Sequence, residues 1–230
     1  MLKIKEMSTL NVYVGHDERE QLAYEVCEHS IKTRSRANVI KLSSKDIPEY
    51  VREYNLQSTD FTYTRFLVPY LNNYKGYAVF CDCDFLFLDD INKLLKYINL
   101  SKAVSVVKHP RYIPNSETKM DNIIQVPYNR KNWSSLMVFN CEHKDCLNLT
   151  PYSINVAPGS YLHQLQWTRD ENIGSIPLDW NCLDDYYFLD NPKAIHYTDG
   201  GPWFEGYKNT TYSKLWIKEY NDITFDIISQ

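Results

Sequence analysis

Between Tyr77 and Asp90 the chain reads YAVFCDCDFLFLDD, an apolar run that is broken by two carboxylates and then resumes. Residues two apart on an extended chain share a face, so Asp82 and Asp84 can point the same way at the end of a strand beginning at Tyr77. Two carboxylates this close repel, and withdrawing them from water costs several kcal/mol each unless a cation or hydrogen-bond donors compensate. A divalent ion resolves the conflict most simply. Oxygen ligands suit Mg²⁺ or Mn²⁺, which keep positions open for water and for a substrate's phosphates. The competing reading is that acidic residues after a strand cap a helix. That reading fits Asp89 and Asp90, which precede the amphipathic stretch from Ile91 to Ile98. It fits Asp82 and Asp84 poorly, because apolar Phe85 to Leu88 intervenes. A D-x-D pair by itself is a weak motif.

The rest of the composition limits the partners. At 230 residues the chain is read as one domain over 1–230, with Met1 to Met7 as a flexible lead-in. A net charge of -4 gives no general pull toward nucleic acid or an anionic membrane, so phosphate binding must come from a local site. No nucleic-acid partner is expected. Six cysteines without a C-x-x-C or a secretory signal pattern read as reduced, buried thiols of a cytoplasmic protein, with peripheral membrane contact left open. Cys83, between the carboxylates, is expected to have its thiol pKa raised by them and to make a poor nucleophile. No apolar run approaches the ~20 residues of a membrane span. Nineteen tyrosines and five tryptophans hint at a sugar or nucleotide site, although most aromatics serve packing.

The order of elements predicts an α/β fold. Leu10 to Val14 alternates as a strand, and Gly15-His16-Asp17 leads into a helix from Glu18 to about Lys32. Such a turn lies where open α/β sheets bind ligands, with free N–H groups behind it. There is no G-x-G-x-x-G and no Walker A sequence, which disfavours dinucleotide cofactors and phosphate-loop ATPases. Further strands are expected at Asn38–Leu42, Ala103–Val107 and Trp133–Asn140, the last with small polar Ser134 and Ser135 near its start. Ser43–Arg52 holds a short helical piece, and Asp60–Leu71 is helical in pattern. Lys108–Arg130 reads as an irregular lid or binding loop. Asn148–Pro158 reads as loop, Tyr161–Thr168 as helix, Ile176–Cys182 and Ala194–Tyr197 as short extended pieces, and Tyr212–Tyr220 as a closing helix.

Two residues carry double readings. Arg65 is the one charge between Phe61 and Leu71, and it either pairs with a core carboxylate or clamps phosphate or sugar oxygens near Asp82 and Asp84. A lone histidine beside an apolar strand is more often a core or surface residue than a ligand. His196 nevertheless ends a strand next to a Gly-Gly turn, where backbone amides can approach a diphosphate, and that context makes it a candidate third metal ligand.

Val14-Gly15-His16-Asp17 with Arg19-Glu20, Tyr63-Thr64-Arg65-Phe66-Leu67-Val68-Pro69-Tyr70, Asp82-Cys83-Asp84, Lys131-Asn132-Trp133-Ser134-Ser135-Leu136-Met137-Val138-Phe139-Asn140 and His196-Tyr197-Thr198-Asp199-Gly200-Gly201-Pro202-Trp203 occur in this order. The set covers nearly the whole chain after Met7. It resembles a small bacterial and viral branch of the GT-A glycosyltransferases, similar to the glycogenin and galactosyltransferase group called family 8. The resemblance implies a single Rossmann-like GT-A domain with a mixed, mostly parallel sheet flanked by helices. It implies a transferase that uses a nucleotide-diphosphate sugar, with UDP-sugar as the default donor. Asp82, Asp84 and His196 would hold Mn²⁺, with Mg²⁺ as a substitute, against the diphosphate. The turn from Val14 to Asp17 would receive the nucleoside, and Arg65 would reach the donor. Arg19, Tyr63, Cys83, Ser134, Ser135, Gly200, Gly201 and Trp203 are further donor-site candidates within the matched motifs. Where the family has a late D-Q pair facing the reacting sugar, this chain offers His163-Gln164 or Asp179. Where the family has a lysine before Pro-Trp, this chain has Gly201, which leaves phosphate contact to backbone N–H groups or a cation such as Lys119.

The chemistry agrees with the resemblance. Cleaving a sugar–phosphate bond leaves about two to three negative charges on the departing nucleoside diphosphate, which a bound cation stabilises as a Lewis acid. The resemblance implies retention through a same-face displacement. A glycan, a lipid-linked sugar or a protein hydroxyl would serve as acceptor, with Trp167, Trp180, Trp203 and Tyr207 as stacking candidates. Two rival classes use the same residues differently: a metal-dependent phosphohydrolase of nucleotide sugars, and a non-catalytic carbohydrate-binding protein.

Overall fold

The computed structural model describes residues 9–52, 57–110 and 129–228, and the backbone of two short strands at 118–119 and 123–124; side chains are described as far as residue 225. The expected lead-in from Met1 to Met7 and most of the Lys108–Arg130 loop lie outside the described residues. The first half of the chain runs β1 (Asn11–Gly15), α1 (Gln21–Arg34), β2 (Asn38–Leu42), α2 (Val68–Leu71), β3 (Tyr77–Cys81), β4 (Phe85–Phe87) and β5 (Val104–Val107). The second half runs β6 (Thr118–Lys119), β7 (Ile123–Ile124), β8 (Leu136–Asn140), α3 (Pro151–Val156), α4 (Gly159–His163), β9 (Ile173–Ile176), β10 (Cys182–Leu183), β11 (Ala194–His196) and α5 (Ser213–Ile228).

Six strands form the central sheet in the order β2-β1-β3-β8-β5-β9. Strand β8 runs against both its neighbours and the other five run together, so the sheet is mixed and mostly parallel, as expected. Its middle strands are buried on both faces, which is why they read as unbroken apolar runs rather than alternating ones. The shared direction gathers the carboxyl ends of β1, β2, β3, β5 and β9 on one edge, together with the amino end of β8. The chain leaves β3 at Asp82, turns, and enters a smaller sheet of order β10-β11-β4. There His196 of β11 pairs with Phe85 of β4. A second apolar cluster, including Leu86, Ile195, Tyr197, Tyr212 and Trp216, anchors this sheet to α5.

Several elements differ from the sequence expectation for identifiable reasons. The Asp60–Leu71 segment is not one helix; it forms a 3-10 turn over Thr64–Leu67 and then the short α2. Arg65 Nε bonds back to the carbonyls of Phe61 and Thr62, and Pro69 lacks an N–H, so a regular ladder cannot run through. Ile91–Tyr97 is a 3-10 helix, capped by Asp90 as expected. The loop expected over Asn148–Pro158 contains α3, started by a capping box of Thr150 and Ser153 with Pro151 in the first turn. Helix α4 starts earlier than expected and stops at His163, and Leu165 just beyond takes a left-handed φ of 56. Trp133 to Ser135 form a turn ahead of β8, and the Lys108–Arg130 stretch holds the β6–β7 hairpin. All six cysteines are buried and unpaired. Trp167 and Trp180 are core residues, not stacking platforms. No helix among the described residues is long and apolar enough to cross a membrane.

Candidate active site

The end of β3 fixes Asp82, whose backbone N–H donates to the carbonyl of Ser135 at 3.0 Å. Two residues on, Asp84 opens β4, and its carbonyl accepts from the N–H of Tyr197 at 3.0 Å. That bond ties the start of β4 to the end of β11 and sets His196 opposite the carboxylates. One ligand atom from each of Asp82, Asp84 and His196 lies within 4.8 Å of the others. Asp84 Oδ1 is 3.3 Å from His196 Nε2, and it is buried without a hydrogen bond. The imidazole of His196 stacks on Phe85, with centroids 4.5 Å apart, so its ring plane is fixed. Two carboxylates, one imidazole and an orphaned buried oxygen form a donor set that fits Mn²⁺ or Mg²⁺.

Arg65 takes the first of its two sequence readings and pairs with a carboxylate. It is buried, its Nη1 lies 2.7 Å from Asp82 Oδ1 and 3.0 Å from the carbonyl of Ser134, and its guanidinium sits over the rings of Phe61 and Phe80. It therefore pairs with a carboxylate, and that carboxylate belongs to the acidic cluster. Ser134 Oγ in turn meets His163 Nδ1 at 2.9 Å. His163 packs against Tyr63 and Phe66, and its imidazole is pushed down to about 3 by burial and by the charges of Arg65 and Arg52. It stays neutral at physiological pH. Gln164 caps α4, and its carbonyl accepts from Arg130 at 2.7 Å.

At the carboxyl end of β1, Val14 and His16 are buried, and the ring of Phe61 covers Gly15 so closely that a Cβ there would sit 2.5 Å from it. Burial raises the carboxyl of Asp17, but hydrogen bonds from Arg19 and from the N–H of Asp60 outweigh it and hold the group below its ordinary value. Asp17 and Arg19 thus staple the 58–60 loop to the end of β1, with Arg19 also reaching the carbonyl of Ser58. An open cleft of about 530 Å³ lies beside them, lined among others by His16, Lys41, Ser43 and Lys45.

Cys83 points away from the carboxylates toward Glu20, and burial, more than its acidic neighbours, raises its thiol pKa. Trp203 lies over Gly201 and packs with Tyr197 and Trp216 against α5. Gly200 takes a φ of 127, within the range that favours glycine. Asp179 binds Lys193 at 2.6 Å, at the opposite end of β11 from His196. The side chain of Lys119, in β6, lies outside the described residues. Asn181 and His109 went unnoticed in the sequence. Asn181 Oδ1 lies 3.0 Å from His196 Nδ1, and His109 is buried beyond β5 at the same sheet edge. A polar residue following Trp180 in a short extended piece was the available signal for Asn181.

No family model matches the chain. Among solved structures, it superposes on the WbbM bifunctional glycosyltransferase with a TM-score of 0.64 at 16% identity, covering 96% of this chain and 50% of that one. It matches the glycosyltransferase GlyE of Streptococcus pneumoniae TIGR4 with a TM-score of 0.62 at 13% identity, covering 97% and 64%. It matches the galactosyltransferase LgtC in complex with donor and acceptor sugar analogs with a TM-score of 0.60 at 11% identity, covering 93% and 96%. The chain thus spans half of WbbM but nearly all of LgtC, and the shared architecture is the GT-A-like glycosyltransferase fold. In sequence it is 42% identical to protein CDI of Arabidopsis thaliana over 229 residues, covering 94% of this chain and 88% of that protein. The chain belongs to the family of protein CDI.

Proposed function

We propose that this protein is a glycosyltransferase of the family 8 type, moving a sugar from a nucleotide-diphosphate donor, UDP-sugar being the default, to a hydroxyl of a glycan or other acceptor with retention. The observation that carries the reading is the Asp82, Asp84 and His196 cluster at the carboxyl edge of a GT-A-like sheet. The presence of donor and acceptor sugar analogs in the LgtC structure supports it.

Asp82, Asp84 and His196 would hold Mn²⁺, or Mg²⁺ in its place, which supplies Lewis-acid stabilisation of the departing diphosphate's charge. Arg65 keeps Asp82 in place from the protein side. The cleft beside His16 and Lys41 suits the nucleoside, and the lysines at its rim favour an anionic ligand. Ser134 links Arg65 to neutral His163, and we assign His163 and Gln164 to the side of the reacting sugar, where a neutral imidazole can accept or donate a hydrogen bond to a hydroxyl. The buried, unpaired cysteines agree with a cytoplasmic location.

Thermal unfolding against UDP, GDP and their common sugar conjugates, with and without Mn²⁺, tests the donor site. A ligand at ~100 times its dissociation constant adds about 2.7 kcal/mol, a rise of roughly 5–10 °C. The rise is expected with one nucleotide, only with Mn²⁺, and not in an Asp82→Ala, Asp84→Ala double variant. No rise with any of them in a folded protein overturns the proposal. Donor turnover that is indifferent to every acceptor hydroxyl replaces transfer with phosphohydrolysis.

A further inference from the structure

The two ring nitrogens of His196 face different neighbours. Nε2 lies 3.3 Å from Asp84 Oδ1, and Nδ1 lies 3.0 Å from Asn181 Oδ1. Which nitrogen carries the proton follows from the far end of a hydrogen-bond chain. The backbone carbonyl of Asn132 can only accept, and Ser135 Oγ donates its single proton there at 2.7 Å. Ser135 Oγ must then accept from Asn181, so Nδ2 of Asn181 is the group 2.9 Å away from it. That turns Oδ1 of Asn181 toward His196. An amide oxygen only accepts, so the imidazole proton sits on Nδ1.

In the neutral imidazole Nε2 is then a lone pair facing a carboxylate oxygen that has no hydrogen bond. Such a contact is repulsive by itself and becomes favourable when a cation lies between the two atoms. Burial locks the chain of bonds, because Ser135, Asn181 and His196 are at most 2% exposed and no solvent reaches them to exchange partners. The ring of His109 also lies beside the Asn181 amide, but neither of its nitrogens makes a hydrogen bond of good geometry, so Ser135 and His196 hold the better-aligned bonds to that amide.

We propose that Asn181 is a positioning residue of the cation site, holding His196 as the neutral Nδ1–H tautomer with Nε2 presented toward Asp82 and Asp84. The proposal rests on reading the triad as a cation site. Partners of this kind on the outer nitrogen of a ligating histidine are general, and losing one costs 10- to 100-fold in metal affinity.

The test uses the full chain labelled with ¹⁵N-histidine, free of cation and nucleotide, with the His196 signals identified by their loss in His196→Gln. A protonated Nδ1 and an unprotonated Nε2 are expected. In Asn181→Leu the single tautomer is expected to become a mixture, and affinity for Mn²⁺ alone, read from the free-ion EPR signal, to fall 10- to 100-fold. Asn181→Asp can accept the same proton and is expected to keep both the tautomer and the affinity. If Asn181→Leu does not fold, Ser135→Ala serves instead, since it frees the amide to turn over, with the same directions expected. A proton on Nε2 in the unaltered protein, or a folded Asn181→Leu with unchanged tautomer and Mn²⁺ affinity, overturns the proposal. The expected tautomer in a protein that binds no Mn²⁺ overturns the cation reading instead, a failure distinguishable from the first.

Discussion

The two ends of strand β11 treat charge in opposite ways. At its start, Lys193 Nζ meets Asp179 Oδ2 at 2.6 Å, and the backbone N–H of Lys193 also reaches the carbonyl of Asp179 at 2.6 Å. The carboxylate there has a cation from its own chain. At its end, His196 faces Asp84, and no lysine or arginine among the described residues pairs with that carboxylate. The same contrast holds between elements: buried Glu219 on α5 meets both Arg34, at 2.7 Å, and His29, also at 2.7 Å, and so clasps α5 to α1. Away from the acidic cluster a carboxylate with its own cation holds the structure together. Within the cluster Asp82 has Arg65 at 2.7 Å while Asp84 has no such partner among the described residues, and that uncompensated charge leaves a place for a cation from outside.

If that division is right, the largest loss of stability comes from Glu219→Ala. Removing one partner of a buried ion pair costs about 3 kcal/mol, or roughly 6–12 °C in a chain of this size. Burial raises the Glu219 carboxyl, but hydrogen bonds from Arg34 and His29 outweigh it and lower the pKa below its ordinary 4.5. Its stabilisation is therefore complete above the ordinary value and fades as pH falls through the depressed one. Thermal melts from pH 7 downward should show the deficit of Glu219→Ala shrinking below about pH 4. A deficit under about 1 kcal/mol at neutral pH would mean that the clasp holds little.

Asp84→Asn should move the other way. It removes a charge that repels Asp82 across less than 4.8 Å, so without cation it is expected to gain about 1 kcal/mol, or 2–4 °C, while losing any stabilisation by Mn²⁺. Melts in EDTA and in Mn²⁺ separate the two terms. A loss in EDTA as large as that of Glu219→Ala would show that the fold already balances Asp84, and the contrast would fail.

How much of this was legible in the sequence depended on the range of the cause. Asp82 and Asp84 could be read because two-residue periodicity and an apolar surrounding are local facts. The parallel sheet could be read because strands β1, β2 and β5 carry their own apolar patterns. Helix α3 was hidden by prolines at both of its borders, although Thr150 and Ser153 carried the capping signal. Asn181 was illegible for a different reason: its role lies in bonds to Ser135 and His196, residues 46 and 15 positions away. Asp179 stood out in sequence as a candidate facing the reacting sugar because an acid among apolar neighbours is conspicuous. What distinguishes it from Asp84 is Lys193, fourteen residues on, and no local pattern records that pairing.

The smallest expected effect probes that last distinction. The side chains of Asp179 and Lys193 are 29% and 28% exposed, so water screens the pair and its coupling is expected to be only about 0.5 kcal/mol in a double-mutant cycle. Lys193→Met is the better single change, because the methionine can keep an apolar stem over the Trp180 ring, which the lysine ammonium now faces at 5.7 Å. Asp179→Asn completes the cycle, and the backbone bond between the two residues persists in all four proteins. Stability alone would leave Asp179 as a modest clasp. Turnover with an acceptor then decides the matter: a loss of about 100-fold in Asp179→Asn, worth about 2.7 kcal/mol of barrier and well above its stability cost, would move Asp179 to the reacting side. The two ends of β11 would then no longer divide into fold and chemistry, because a carboxylate with its own cation would be serving both.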